Sequence, residues 1–95
     1  MRKYEAMYII KPFYEEDKYQ EIIEKYNALI RSNGGEVLKE EPWGKRRLAY
    51  EIDKIREGYY VLLHFEGPEA LPAELERNFR IADDIMRYLV VRLED

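Results

Sequence analysis

Cysteine is missing from the chain, so disulfides and thiolate metal sites are excluded, which fits a reducing compartment such as the cytoplasm. Histidine occurs once, at His64, and has no cysteine to share a metal with. No apolar run approaches the ~20 residues a membrane span requires. Met1-Arg2-Lys3 leads into Tyr4-Glu5 and not into an apolar signal core, so neither export nor membrane insertion is expected. No internal repeat or low-complexity linker interrupts the chain.

Charged residues make up 38% of the 95 residues and hydrophobic ones 46%. Clear periodicity in such a composition describes a small folded globule and not a disordered segment. At this size a single domain, residues 1–95, buries roughly two thirds of its unfolded surface. The net charge is −4, yet Lys45, Arg46, Arg47, Lys54 and Arg56 lie close together, opposed there only by Glu51 and Asp53. An acidic chain with one basic stretch has a sided electrostatic field.

Residues 2–10 alternate, with Tyr4, Ala6, Tyr8 and Ile10 on one face and Lys3, Glu5, Met7 and Ile9 on the other, and Lys11-Pro12 ends the run. Two rather apolar faces predict a central strand. Acids at 15–17 precede Tyr19, Ile22, Ile23, Tyr26 and Ile30, the stripe of an amphipathic helix that Ser32-Asn33-Gly34-Gly35 stops. Val37 and Leu48 have opposite parity, so a strand over 36–53 must bend, and Pro42-Trp43-Gly44 is the place for a bulge on an edge strand. Leu48, Tyr50 and Ile52 are expected on its buried face, and Gly58 is read as separating it from its hairpin partner, which begins at Tyr59.

That partner places Tyr59, Val61, Leu63 and Phe65 on one face and Tyr60, Leu62, His64 and Glu66 on the other. Gly67-Pro68 ends it. Pro72 suits the first turn of a second helix with Leu71, Leu75 and Phe79 inward. Asp83-Asp84 marks a turn, and 85–93 reads as a fourth strand. The order is strand, helix, strand, strand, helix, strand. This predicts an α+β fold: the ferredoxin-like split βαβ arrangement, a four-stranded antiparallel sheet with both helices on one face and strands one and three central.

The uncovered face then shows Met7, Ile9, Tyr60, Leu62, Leu89 and Val91, bordered by Arg47, Ala49 and Arg87. Monomers seldom leave such a patch bare, so it is assigned to a protein partner.

The stretch Gly44-Lys45-Arg46-Arg47-Leu48-Ala49-Tyr50-Glu51-Ile52-Asp53-Lys54 resembles the signature of the bacterial small-subunit ribosomal protein S-six family. The likeness extends to Arg2-Lys3-Tyr4-Glu5, to Glu57-Gly58-Tyr59-Tyr60, and to residues 75–81 and 85–92. It implies the split βαβ sheet and a structural role in the small ribosomal subunit, located in the cytoplasm. It further implies pairing with ribosomal protein S-eighteen and binding of the pair to the central domain of small-subunit ribosomal RNA. Catalysis, a cofactor and a small-molecule substrate do not belong to that role. Two departures stand out: the short acidic end Glu94-Asp95, where many relatives carry a longer tail, and the acid Asp53, where a small polar or basic residue is more usual.

Folded ribosomal RNA is read largely through shape and backbone, which suits arginine and lysine near strand ends. The candidates are Arg2, Lys3, Arg46, Arg47, Lys54, Arg56, Arg87 and Arg92, with Tyr4 and Tyr50 either supporting those contacts or, as parity favours, lying in the core. An RNA-recognition motif is not expected, because Gly58-Tyr59-Tyr60-Val61 puts Tyr60 where a small residue belongs. Nor can Lys11-Pro12-Phe13-Tyr14 form the phosphate-cradling loop of an acylphosphatase. The competing reading is a homo-oligomeric ferredoxin-like module with a small-molecule regulatory site; the leading one expects a monomer when isolated.

Overall fold

A computed structural model describes residues 1–93; the acidic end Glu94-Asp95 lies outside the described residues. The elements are β1 (Arg2–Ile10), α1 (Glu16–Ser32), β2 (Glu36–Ile52), β3 (Ile55–Gly67), α2 (Leu71–Ile81) and β4 (Ile85–Arg92). They form one antiparallel sheet in the order β2-β3-β1-β4, with β3 and β1 central as their apolar faces require.

The core lies between one sheet face and the two helices. Tyr4, Ala6, Tyr8 and Ile10 of β1 and Tyr59, Val61, Leu63 and Phe65 of β3 meet the α1 stripe and Leu71, Leu75 and Phe79 of α2. Phe79 joins the layers, its ring 4.8 Å from Tyr8 and 4.6 Å from Tyr26. Truncating such a ring typically costs about 3–5 kcal/mol. At the mouth of α1, Tyr59 stacks on Tyr19 at 3.9 Å and donates its hydroxyl to Glu16 Oε1 at 3.0 Å. Burial and that carboxylate push the Tyr59 phenol up to about 12.

Strand β2 is continuous, with its register against β3 shifting between Val37 and Lys39, between Pro42 and Gly44, and between Arg47 and Ile52. Gly44 holds φ +80 with open space around it, a backbone state that glycine adopts without strain. The hairpin reverses at Asp53-Lys54, φ 47 and 66, between the paired Ile52 and Ile55, and not at Gly58. This two-residue turn needs left-handed backbone, which aspartate tolerates by bonding locally. Asp53 is therefore accounted for by chain reversal.

Gly58 instead sits inside β3 opposite Arg46. A Cβ there would lie 2.2 Å from Ile9 Cγ2 and 3.4 Å from Met86 Sδ. Lacking that atom, Gly58 leaves room for the Ile9 side chain to lie over the β3 backbone.

Candidate nucleic-acid and partner interface

The distal half of the β2–β3 hairpin carries Lys45, Arg46, Arg47, Lys54 and Arg56, all exposed. Here β2 pairs only with β3, so side chains that strand parity assigns to a buried face have no layer to enter. Leu48 and Ile52 are only half-buried, and Tyr50 is 59% exposed. The assignment of Tyr50 to the core is thereby corrected; Tyr4, at 5% exposure, is core.

Tyr50 has a partner from the opposite edge of the sheet. The Arg87 guanidinium of β4 lies 5.2 Å from the centre of its ring, and Arg87 Nη1 donates to its hydroxyl. Arg87 pairs in register with Ile9 of β1, so the clasp passes over the C-terminal end of β1, where Ile9 Cγ2 fills the space left by the absent Cβ of Gly58. Ile9 is only 7% exposed and contributes little surface to the accessible patch.

The rest of the uncovered face is available. Met7, Tyr60 and Leu62 are half-buried, while Leu89 and Val91 are 62% and 37% exposed. A groove of about 320 Å³ runs between Met7, Ile9, Arg87, Tyr88 and Leu89. Glu5 and His64 face each other in the β1–β3 register, with Oε1 and Nε2 2.8 Å apart. The histidine is thus held by a sheet-face carboxylate.

The eight cationic candidates divide by position. Arg46, Arg47, Lys54, Arg56 and Arg87 gather at the hairpin end. Arg2, Lys3 and Arg92 lie at the other end of β1, separated from Ile10 by roughly 26 Å at about 3.3 Å per residue. Some are engaged within the chain: Arg2 with Glu69 at 3.6 Å and Arg56 with Glu51 at 3.6 Å. Arg46 stands 5.5 Å over the Trp43 ring and donates Nε–H to the Trp43 carbonyl at 3.4 Å. Among the described residues, Lys45, Arg47 and Lys54 enter no ion pair.

Trp43, at the β2 irregularity, lies nearly parallel to Tyr60 at 6.4 Å and donates Nε1–H to Glu41 Oε1 at 2.8 Å. That hydrogen bond, together with Lys39, holds the Glu41 carboxyl below its ordinary range. A polar cleft of about 510 Å³ separates Pro42–Lys45 from Tyr14, Glu15 and Glu16, but Glu16 is already engaged by Tyr59 and Gln20. Among the described residues no three His, Cys, Asp or Glu side chains are grouped to hold a metal ion. Among the described residues no helix is long and apolar enough to cross a membrane. The arrangement suits multivalent contact with a polyanion at one end and apolar contact on the adjoining face. The latching role of Tyr50 had no sequence signal beyond an aromatic residue within a basic run.

The family model described as ribosomal protein S6 matches residues 3–92. The small ribosomal subunit protein bS6 of Desulforamulus reducens is 52% identical over 92 residues, covering 97% of both chains. That of Moorella thermoacetica is 47% identical over 95 residues, covering 100% of this chain and 97% of its own. The crystal structure of 30S ribosomal protein S6 from Thermotoga maritima superposes with a TM-score of 0.91 at 33% identity, covering 97% of this chain and 87% of that one.

Proposed function

The chain belongs to the ribosomal protein S6 family, and from that premise we propose that it binds small-subunit ribosomal RNA in its central domain together with ribosomal protein S-eighteen. It is a structural constituent of the small ribosomal subunit, located in the ribosome in the cytoplasm, and not an enzyme.

The observation that carries the proposal is the clasp of Tyr50 by Arg87. It holds the hairpin's cations beside an apolar sheet face, so RNA and a protein partner can be engaged side by side. Arg47 and Lys54, together with Arg46, supply the phosphate contacts, and Arg56 and Arg87 supplement them. Arg2, Lys3 and Arg92 touch RNA only where it reaches the far end of β1. Phosphate contacts of this kind set affinity and register rather than sequence preference. Met7, Tyr60, Leu62, Leu89 and Val91 form the protein-facing surface, and in isolation the chain is a monomer.

The test is binding of central-domain RNA by this protein, by S-eighteen, and by both. The pair is expected to bind more tightly than either alone. Equal affinity would refute the cooperative part of the proposal. Light scattering on the isolated protein checks the monomer, and a stable homodimer would count against it.

A further inference from the structure

The stop of α1, Ser32-Asn33-Gly34-Gly35, holds the chain's one Asn-Gly pair; Asn27 precedes Ala28 and Asn78 precedes Phe79. Asparagine side chains are thermolabile, and most so before glycine, which puts no side chain in the way when its backbone nitrogen turns on the neighbouring amide. Asn33 and Gly34 are both exposed, so water reaches the bonds concerned. The other two asparagines are held. Asn27 is buried and donates Nδ2–H to Glu40 Oε1 at 2.6 Å, and Asn78 donates to the Glu74 carbonyl and carboxylate within α2.

Two hydrogen bonds oppose the reaction in the folded chain. Asn33 Nδ2 donates to the Leu29 carbonyl at 2.9 Å, and Gly34 N–H donates to the Arg31 carbonyl at 3.1 Å. The first fixes the side-chain amide on the helix end, and the second engages the attacking nitrogen. The backbone restrains it further. Asn33 has ψ 21, which sets the Gly34 nitrogen nearly syn to the Asn33 nitrogen, whereas ring closure needs it beside Cβ. Turning it there breaks the bond to Arg31 and disturbs Gly35, whose N–H donates to the Ile30 carbonyl at 2.9 Å. All of these bonds belong to the end of α1, and helix ends fray more readily than the rest of a fold opens.

We propose that Asn33 is a site of succinimide-mediated deamidation and isomerisation, gated by opening of the last turn of α1. Gly34 N bonds to Asn33 Cγ while the Cγ–Nδ2 bond breaks, and the proton lost from Gly34 N leaves with Nδ2 as ammonia. Water then opens the ring. Cleavage between the nitrogen and Cγ gives aspartate; cleavage between the nitrogen and the Asn33 backbone carbonyl carbon gives isoaspartate. Either product sets a carboxylate at the negative end of the helix dipole in place of a donor to Leu29. Isoaspartate also adds a main-chain carbon just ahead of Gly35, where there is no slack: a Cβ on Gly35 would lie 2.6 Å from Leu71 Cδ2 and 2.7 Å from Glu66 O. The strain falls on the entry to β2, where Glu36 pairs with Glu66.

The experiment incubates the full chain at mildly alkaline pH over a series of urea concentrations and follows each asparagine by peptide mass spectrometry with isoaspartate detection. In urea that unfolds the chain, Asn33 is expected to convert ahead of Asn27 and Asn78, and in the folded chain to convert about tenfold or more slowly than when unfolded. Urea too dilute to unfold the chain should already speed the conversion, because only one helical turn has to open. Gly35→Ala, whose added methyl must shift that turn, should raise the folded-state rate severalfold; if it fails to fold, the dilute-urea series carries the test. Equal rates in the folded and unfolded chain, no conversion at Asn33 in either, or a rate that rises only with global unfolding overturns the proposal. No RNA or ribosomal partner is involved, so the outcome is independent of the ribosomal RNA reading.

Discussion

Arg87 of β4 holds Tyr50 of β2 by both ring face and hydroxyl, although β3 and β1 separate those strands in the sheet. Only a hairpin that leans across the end of β1 permits the contact. Tyr50→Ala should therefore speed amide exchange over residues 45–57 while leaving Ala6 and Val61 unchanged. Overall stability should shift by about 0.5 kcal/mol or less, since both partners are exposed. Unaltered exchange in the hairpin would mean that the clasp does not restrain it.

Arg46 and Arg47 are neighbours in sequence but differ in commitment, one leaning on Trp43 and the other without an ion pair among the described residues. Replacing both with alanine should weaken RNA binding and flatten its salt dependence by about 0.7–0.9 in logarithmic slope for each phosphate that is no longer neutralised. Arg47→Ala alone should account for more of the change than Arg46→Ala. A slope that stays constant in the double variant would remove both from the RNA interface.

Leu62 is half-buried on the uncovered face, opposite Met7 in β1 and Glu41 in β2. Leu62→Asp should retain the fold at a cost of about 1 kcal/mol and abolish association with S-eighteen, measurable by calorimetry. Retained heterodimer affinity would take this face out of the partner interface.

Gly58→Ala tests the hairpin root directly. The added methyl would meet Ile9 Cγ2 at 2.2 Å, so a loss of about 1–3 kcal/mol is expected from overpacking, read as a lower denaturation midpoint. A larger loss for Gly58→Val would follow, because a branched side chain cannot be relieved by a small shift of Ile9. Wild-type stability in Gly58→Ala would show that the junction is loose.

Alkaline pH should destabilise the fold through its buried phenols. Burial raises Tyr8 and Tyr26, and burial with the Glu16 hydrogen bond raises Tyr59 to about 12, against about 10 when unfolded. The stabilisation is complete below pH ~10 and is lost as pH rises toward the folded values, because the unfolded chain releases these protons first. Urea titrations between neutral and alkaline pH should show this decline, and Tyr59→Phe should make it shallower above pH ~10. Stability independent of pH through that window would contradict the assigned burial.

Much of the architecture was legible because periodicity is a local property. The α1 stripe, the paired apolar faces of β1 and β3, and Pro72 at the start of α2 each declare themselves within a few residues. The bend at Pro42-Trp43-Gly44 was equally readable, since a parity conflict between Val37 and Leu48 admits few other solutions. Gly58 was taken for the turn from its residue type alone, whereas Tyr50 and Ile9 were misjudged by parity. Parity says which side of a strand a residue occupies, but not whether another layer covers that side.

By itself the sequence determined which side chains group on each strand and helix, where the cations cluster and which family pattern they match. Those follow from spacing and residue chemistry along the chain. Tertiary structure alone decided that the hairpin turns at Asp53-Lys54, that Ile9 fills the space a missing Cβ leaves at Gly58, and that Tyr50 meets Arg87. These contacts join residues far apart in sequence, and they depend on sheet order and on the path of a strand beyond the last layer that covers it.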